Sequence, residues 1–221
     1  MSPAANRPAL PARRPRRSRA VLHEDPRSRL LVVALDLFAL RGFDGVSTNM
    51  IAQAAGVSQP MIYYHFRSKE QLWQEAITNL MRDLGKRFPR NRSDLKDLEP
   101  AAQLSVITRR FLLMSFHDPR LSQLIIIESI GRSERLTWFA RTFISAGFGD
   151  FDEAVQRGID SGQIKDLPLY VVTNTIVAAC SLIFCIGGLV QKVYDVNVAG
   201  QDRFEEIADS VIEILFHGIL A

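Results

Sequence analysis

The sequence predicts an all-α protein: an N-terminal three-helix helix-turn-helix domain followed by a larger C-terminal helical domain. Three observations carry this expectation. Apolar residues recur at helical spacing from Leu30 onward, with no alternating pattern long enough to make strands. The stretch 47–69, STNMIAQAAGVSQPMIYYHFRSK, reads as two short helices around a glycine. Charge is also divided along the chain. Residues 1–26 hold six Arg against Glu24 and Asp25, and residues 27–88 hold eight basic and five acidic residues. Residues 89–221 reverse the balance, with thirteen basic and seventeen acidic. A polyanion would therefore dock on the first 88 residues and not on the rest.

Taken in order, residues 1–24 are rich in Pro, Ala and Arg and poor in apolar side chains, the composition of a disordered tail. Arg13, Arg14, Arg16, Arg17 and Arg19 leave two readings open, an arm that tracks phosphates and a solubilising tail. Asp25-Pro26 starts a helix, cap then first-turn proline. Leu30, Ala34, Leu37, Phe38 and Arg41 continue it and Gly42 ends it, while Arg27 and Arg29 fall in the first turn, where they fit phosphate contacts. Ser47 is placed to cap the next helix, whose apolar face is Ile51, Ala52 and Ala55. Gly56 then stands where a left-handed residue is wanted. Ser58 can cap a second helix that carries Gln59, Pro60, Met61, Ile62, Tyr63, Tyr64, His65 and Phe66. Ser68 and Gln71 form a capping box for a further helix running to about Phe88. Lys69 in its first turn opposes the helix dipole, which a bound phosphate would explain.

At these residues the chain resembles the DNA-binding domain of the TetR (tetracycline-repressor-like) family of bacterial regulators. The pattern is Gly42-Phe43, Ser47, Ile51-Ala52, Ala55-Gly56-Val57-Ser58, Tyr63-Tyr64-His65-Phe66, Ser68-Lys69-Glu70 and Leu72, covering about residues 27–80. Pro60-Met61 departs from the Gly and small residue that many members carry, which bears on the bases read and not on the fold. The resemblance implies a DNA-binding domain with its connecting helix over 25–88 and a ligand-binding and dimerisation domain over 89–221. It implies a cytoplasmic homodimeric regulator, usually a repressor, with a palindromic double-stranded operator and a small-molecule effector as partners. DNA contacts are expected from Ser47, Thr48, Asn49, Ser58, Gln59, Pro60, Met61, Tyr63, Tyr64, His65 and Lys69. Within that set, Tyr63 and Lys69 would hold the backbone, whereas Asn49, Gln59, Tyr64 and His65 would face the major groove.

Beyond residue 100 the periodicity predicts helices only, over about 100–117, 118–130, 133–161, 168–193 and 202–219, with Gly147 and Gly149 set to bend the third. Dimerisation is expected through Ile176, Ala179, Ile183 and Gly187 together with Ile207, Val211, Ile214 and Leu215. Residues 167–191 carry no charge for 25 residues, long enough for a membrane span. Thr173, Asn174, Thr175, Ser181 and the Gly187-Gly188 pair favour a core helix, so no membrane partner is expected. The alternative function is a helical small-molecule-binding or membrane-associated protein without specific DNA recognition.

Cys180 and Cys185 point about 140° apart on a helix and cannot pair within it. No catalytic constellation, metal-ligand cluster or cofactor-binding loop is present in the sequence, so neither enzyme activity nor a cofactor is expected. Phe111, Met114, Glu128, Phe139 and Phe143 are the candidate ligand-pocket residues. Two readings stay open for Glu128: a polar anchor in a cavity, or a surface carboxylate paired with Arg132 one turn on.

Overall fold

The computed structural model describes residues 25–89, 95 and 97–219, so the expected tail over 1–24 lies outside the described residues. Helix α1 (Pro26–Arg41) opens on Asp25, whose carboxylate accepts the backbone N–H groups of Arg27 at 2.9 Å and Ser28 at 3.2 Å. Helices α2 (Thr48–Ala55), α3 (Gln59–His65) and α4 (Lys69–Arg87) follow. Their apolar faces close on α1: Ile51, Ile62, Phe66, Trp73 and Ala76 pack with Leu30, Ala34 and Phe38. Helix α4 begins as predicted, Ser68 accepting from the Gln71 N–H at 3.0 Å while the Gln71 side chain accepts from the Arg67 N–H at 3.0 Å.

The body holds α5 (Pro100–His117), α6 (Arg120–Gly131), α7 (Glu134–Phe139), α8 (Ser145–Asp160), α9 (Leu169–Cys185), α10 (Gly187–Tyr194) and α11 (Phe204–Ile219). Among the described residues no β-strand occurs. Leu121 and Leu124 of α6 and Phe139 of α7 belong to the same apolar core as α1–α4. A second core gathers Leu104 and Leu112 of α5, Phe151 and Val155 of α8, Ile176 and Cys180 of α9, and Ala208 and Leu215 of α11.

Two of the predicted helices are corrected. The helix predicted over 133–161 is interrupted before its glycines, by a π-turn at Ala140–Ile144, and Gly147 and Gly149 lie inside α8. The Ser145 backbone N–H and its hydroxyl (2.9 Å) both bond to the Ala140 carbonyl, five residues back, which holds the wider turn. The helix predicted over 168–193 is two helices bent by 66°, because Ile186 leaves helical geometry at φ −98°, ψ 17°. No single helix among the described residues is long and apolar enough to cross a membrane.

The expected dimer face is also redrawn. Ile176 and Leu215 are buried inside the subunit, because the register Val172, Ile176, Cys180 and Phe184 turns toward the core. The adjoining stripe is the outward one: Val171 and Leu182 on α9, Ile186 at its end, and Ile214 on α11 are exposed.

Candidate nucleic-acid interface and ligand cavity

The turn between α2 and α3 is built from local chemistry. Ser47 caps α2 by accepting the Met50 N–H at 3.2 Å. Gly56 adopts φ 69°, ψ 36°, the left-handed conformation that lets its own N–H and that of Val57 bond back to Gln53 and Ala52. Ser58 takes the cap conformation for α3, but its side chain makes no capping bond, contrary to expectation. Pro60 in the first turn gives up a donor the helix does not use.

Across this turn three predicted residues meet. Thr48 is buried, and its Oγ1 accepts from Gln59 Nε2 at 2.9 Å and lies 3.4 Å from the Tyr63 hydroxyl. The first residue of α2 therefore fixes two side chains of α3. Gln59 keeps its carbonyl oxygen and one N–H, the pair of groups needed for an adenine edge. Ser47, Asn49, Ser58, Gln59, Pro60, Tyr63 and Tyr64 are exposed, Tyr64 at 80%, while Met61 is half-buried. His65 does not follow them. Its Nε2 is buried without a hydrogen-bond partner among the described residues, and its ring lies edge-on to Tyr64 at 5.0 Å. That nitrogen cannot face a duplex in this conformation.

Lys69 is half-buried, its ammonium 4.0 Å from the centroid of the Phe43 ring. Burial pulls its pKa below the ordinary lysine value, Asp44 opposes that shift, and Arg135 adds to it. Arg135 also stands 4.0 Å from the Phe43 centroid, so two cations share one ring. The Arg27 guanidinium lies over the Phe66 ring and pairs with Glu75, which ties it to α4. Arg29 Nε is buried without a partner among the described residues. These two arginines are thus less available to phosphates than their sequence position suggests.

The body encloses a cavity of about 1150 Å³ bounded by α4, α5, α6 and the π-turn with α8. Of the predicted ligand residues it is lined by Phe111, Met114 and Phe143. Phe139 and Glu128 are not on its wall. Phe139 is fully buried against Trp73 and Phe143, a core residue. Glu128 is only 2% exposed and accepts from the Ser133 hydroxyl at 2.9 Å, with Arg135 Nε 3.4 Å away. Arg132, the partner expected for it, is instead the left-handed residue that ends α6, at φ 49°. Arg135 is one residue that sequence reading missed. The signal was the Ser133 cap, which sets the orientation of α7 and brings Arg135 to Glu128 and to Asp44 at 3.4 Å.

Residues 30–76 match the N-terminal domain of the bacterial regulatory proteins of the tetR family. The segment from α1 through the start of α4 is thus a DNA-binding domain of the tetR type. A relative from Mycolicibacterium smegmatis, the HTH-type transcriptional activator FasR, is 36% identical over 75 residues, 32% of this chain and 34% of that one. The HTH-type transcriptional regulator RutR of Escherichia coli strain K12 is 25% identical over 204 residues, 92% of this chain and 94% of its own. Among solved structures, AibR in complex with isovaleryl coenzyme A and operator DNA superposes with a TM-score of 0.61 at 23% identity, covering 87% of this chain and 98% of that one. The TetR-type fold therefore extends through the helical body as well as the reader.

Proposed function

We propose that this chain is a cytoplasmic, homodimeric repressor that reads a palindromic operator and releases it on binding a small-molecule effector. On this reading residues 25–88 bind DNA and residues 89–221 bind the effector and the second subunit. The observation that carries the reading is the exposed rim of Asn49, Gln59, Tyr63 and Tyr64, with Gln59 braced by Thr48, on a TetR-type helix-turn-helix. The exposed stripe of Val171, Leu182 and Ile214 supports two-fold pairing through α9 and α11. A second copy would set two α3 helices against successive major-groove faces about 34 Å apart. AibR, bound to both a coenzyme A thioester and its operator, supports a small molecule and DNA as joint partners.

The test uses fluorescence anisotropy with DNA flanking the chain's own gene, read against scrambled DNA of equal length. Expected is at least a thousandfold preference, one dimer per palindrome, and a dimeric mass by light scattering at micromolar concentration. Binding with no preference for the flanking DNA, or a monomeric mass, would sink the proposal.

A further inference from the structure

We infer that the cavity takes an amphipathic anion: an extended apolar tail against the phenylalanine wall, with a carboxylate or phosphate head at the arginines of its mouth. This rests on the effector reading above and specifies its ligand class. At about 1150 Å³ the cavity exceeds the range usual for drug-sized ligands, so a small polar metabolite would leave most of it as unfilled apolar wall. That wall is formed by Phe111, Phe143, Phe148 and Phe151, with Phe111 set edge-on to Phe151 at 5.9 Å. The first three rings are half-exposed, so their faces lie open to an apolar guest.

The charges are sorted by depth. Arg82 and Arg87 of α4 and Arg110 of α5 line the cavity and are exposed, which places them on its solvent side. None of the three makes a hydrogen bond or ion pair among the described residues. A fourth arginine, Arg157, is already committed: its guanidinium donates to Gln103 at 2.6 Å and to the Leu98 carbonyl at 3.5 Å. Two carboxylates also line the cavity, Asp150 and Glu153 of α8, and Asp150 has contacts of its own. Three uncommitted guanidiniums against one remaining carboxylate select an anionic head, and the planar guanidinium fork suits carboxylate and phosphate alike. A cationic head would meet three like charges. A neutral head could accept a hydrogen bond but would gain no charge attraction.

The experiment holds the tail constant and varies the head. Dodecanoate, dodecyl phosphate, dodecanol and dodecylamine are titrated into the full-length protein by calorimetry, below their aggregation concentrations and at two salt concentrations. Expected is at least tenfold tighter binding of dodecanoate or dodecyl phosphate than of the alcohol, weakening with salt, and still weaker binding of the amine. The relative affinity of the two anions tells a carboxylate head from a phosphate one. In the double variant R82Q/R110Q that preference should fall at least tenfold, with affinity for dodecanol and for DNA retained. Equal binding of all four probes, preference for the amine, no binding of any, or an unchanged preference in the variant would overturn the inference. Operator release is scored separately. Selective anion binding without release upholds the ligand class and fails the effector reading, whereas release by the alcohol alone does the reverse.

Discussion

Thr48 carries more of the reader than its size suggests. Its hydroxyl is the meeting point of Gln59 and Tyr63, so one buried oxygen sets the pose of both side chains, which on the proposed reading read a base and hold the backbone respectively. Replacing Gln59 or Asn49 by alanine should cost roughly 1–3 kcal/mol on the operator, with random DNA bound almost as before. Lys69→Ala should weaken binding to all sequences alike and lower the salt slope by about one. Anisotropy titrations across a salt series separate the two classes. If Lys69→Ala changes which bases matter while Gln59→Ala and Asn49→Ala leave discrimination intact, the roles are reversed. In the body, burial alone pushes the Cys180 thiol up to about 12, while Cys185 is half-buried and raised for the same reason. A thiolate reagent at pH 8 should therefore leave Cys180 unmodified in the native protein and reach it only on unfolding. Rapid native labelling of Cys180, mapped by mass spectrometry, would contradict that burial.

At the scale of elements, the turn after α1 is where sequence and structure part. Gly42 is legible as a helix stop, but its full constraint is not. It adopts φ 71°, ψ 169°, and a Cβ there would lie 2.9 Å from Ile127 Cγ2 on α6. Both features penalise any side chain, so Gly42→Ala should destabilise the fold by about 1–3 kcal/mol, read as a lower midpoint in urea. A midpoint unchanged within error would mean that α6 gives way easily. The helices themselves were readable because caps and apolar periodicity are local: Asp25, Ser47 and Ser68 each bond as their spacing foretold. The misses share a cause. The π-turn at Ala140–Ile144, the partner of Glu128, the outward stripe of α9 and the mouth arginines all depend on which helix lies opposite, and that is decided by contacts distant in sequence. His65 belongs with them, since its place in the reader's sequence does not disclose that its Nε2 is buried.

Across the whole molecule, reader and body are joined by an apolar seam and two polar ties. Both tryptophans of the chain sit in the seam, Trp73 of α4 and Trp138 of α7, with ring centroids 5.4 Å apart. One tie is Arg120 to Asp36 at 2.7 Å and the other is Arg135 to Asp44 at 3.4 Å. Each arginine also has a partner inside the body, Asp118 at 2.6 Å and Glu128 at 3.4 Å. This asymmetry chooses the experiment. Removing Arg135 would leave Glu128 buried with one hydroxyl partner and threaten the fold. Replacing Asp36 and Asp44 by asparagine cuts both ties from the reader's side and leaves the body's own pairs in place. Both aspartates are exposed, so the lost ion pairs should cost at most about 1 kcal/mol each in stability. Operator affinity without ligand should hold or rise slightly, because D44N also removes a negative charge acting on Lys69. If the ties carry motion from α6 and α7 to α1, the coupling between ligand and operator, roughly 1–3 kcal/mol in such proteins, should fall by more than half in the D36N/D44N protein. The tryptophan emission change on ligand binding should shrink with it. Full coupling in the double variant would instead assign transmission to the apolar seam of Ile127, Trp73 and Trp138, where bulk and not charge is the variable to change next.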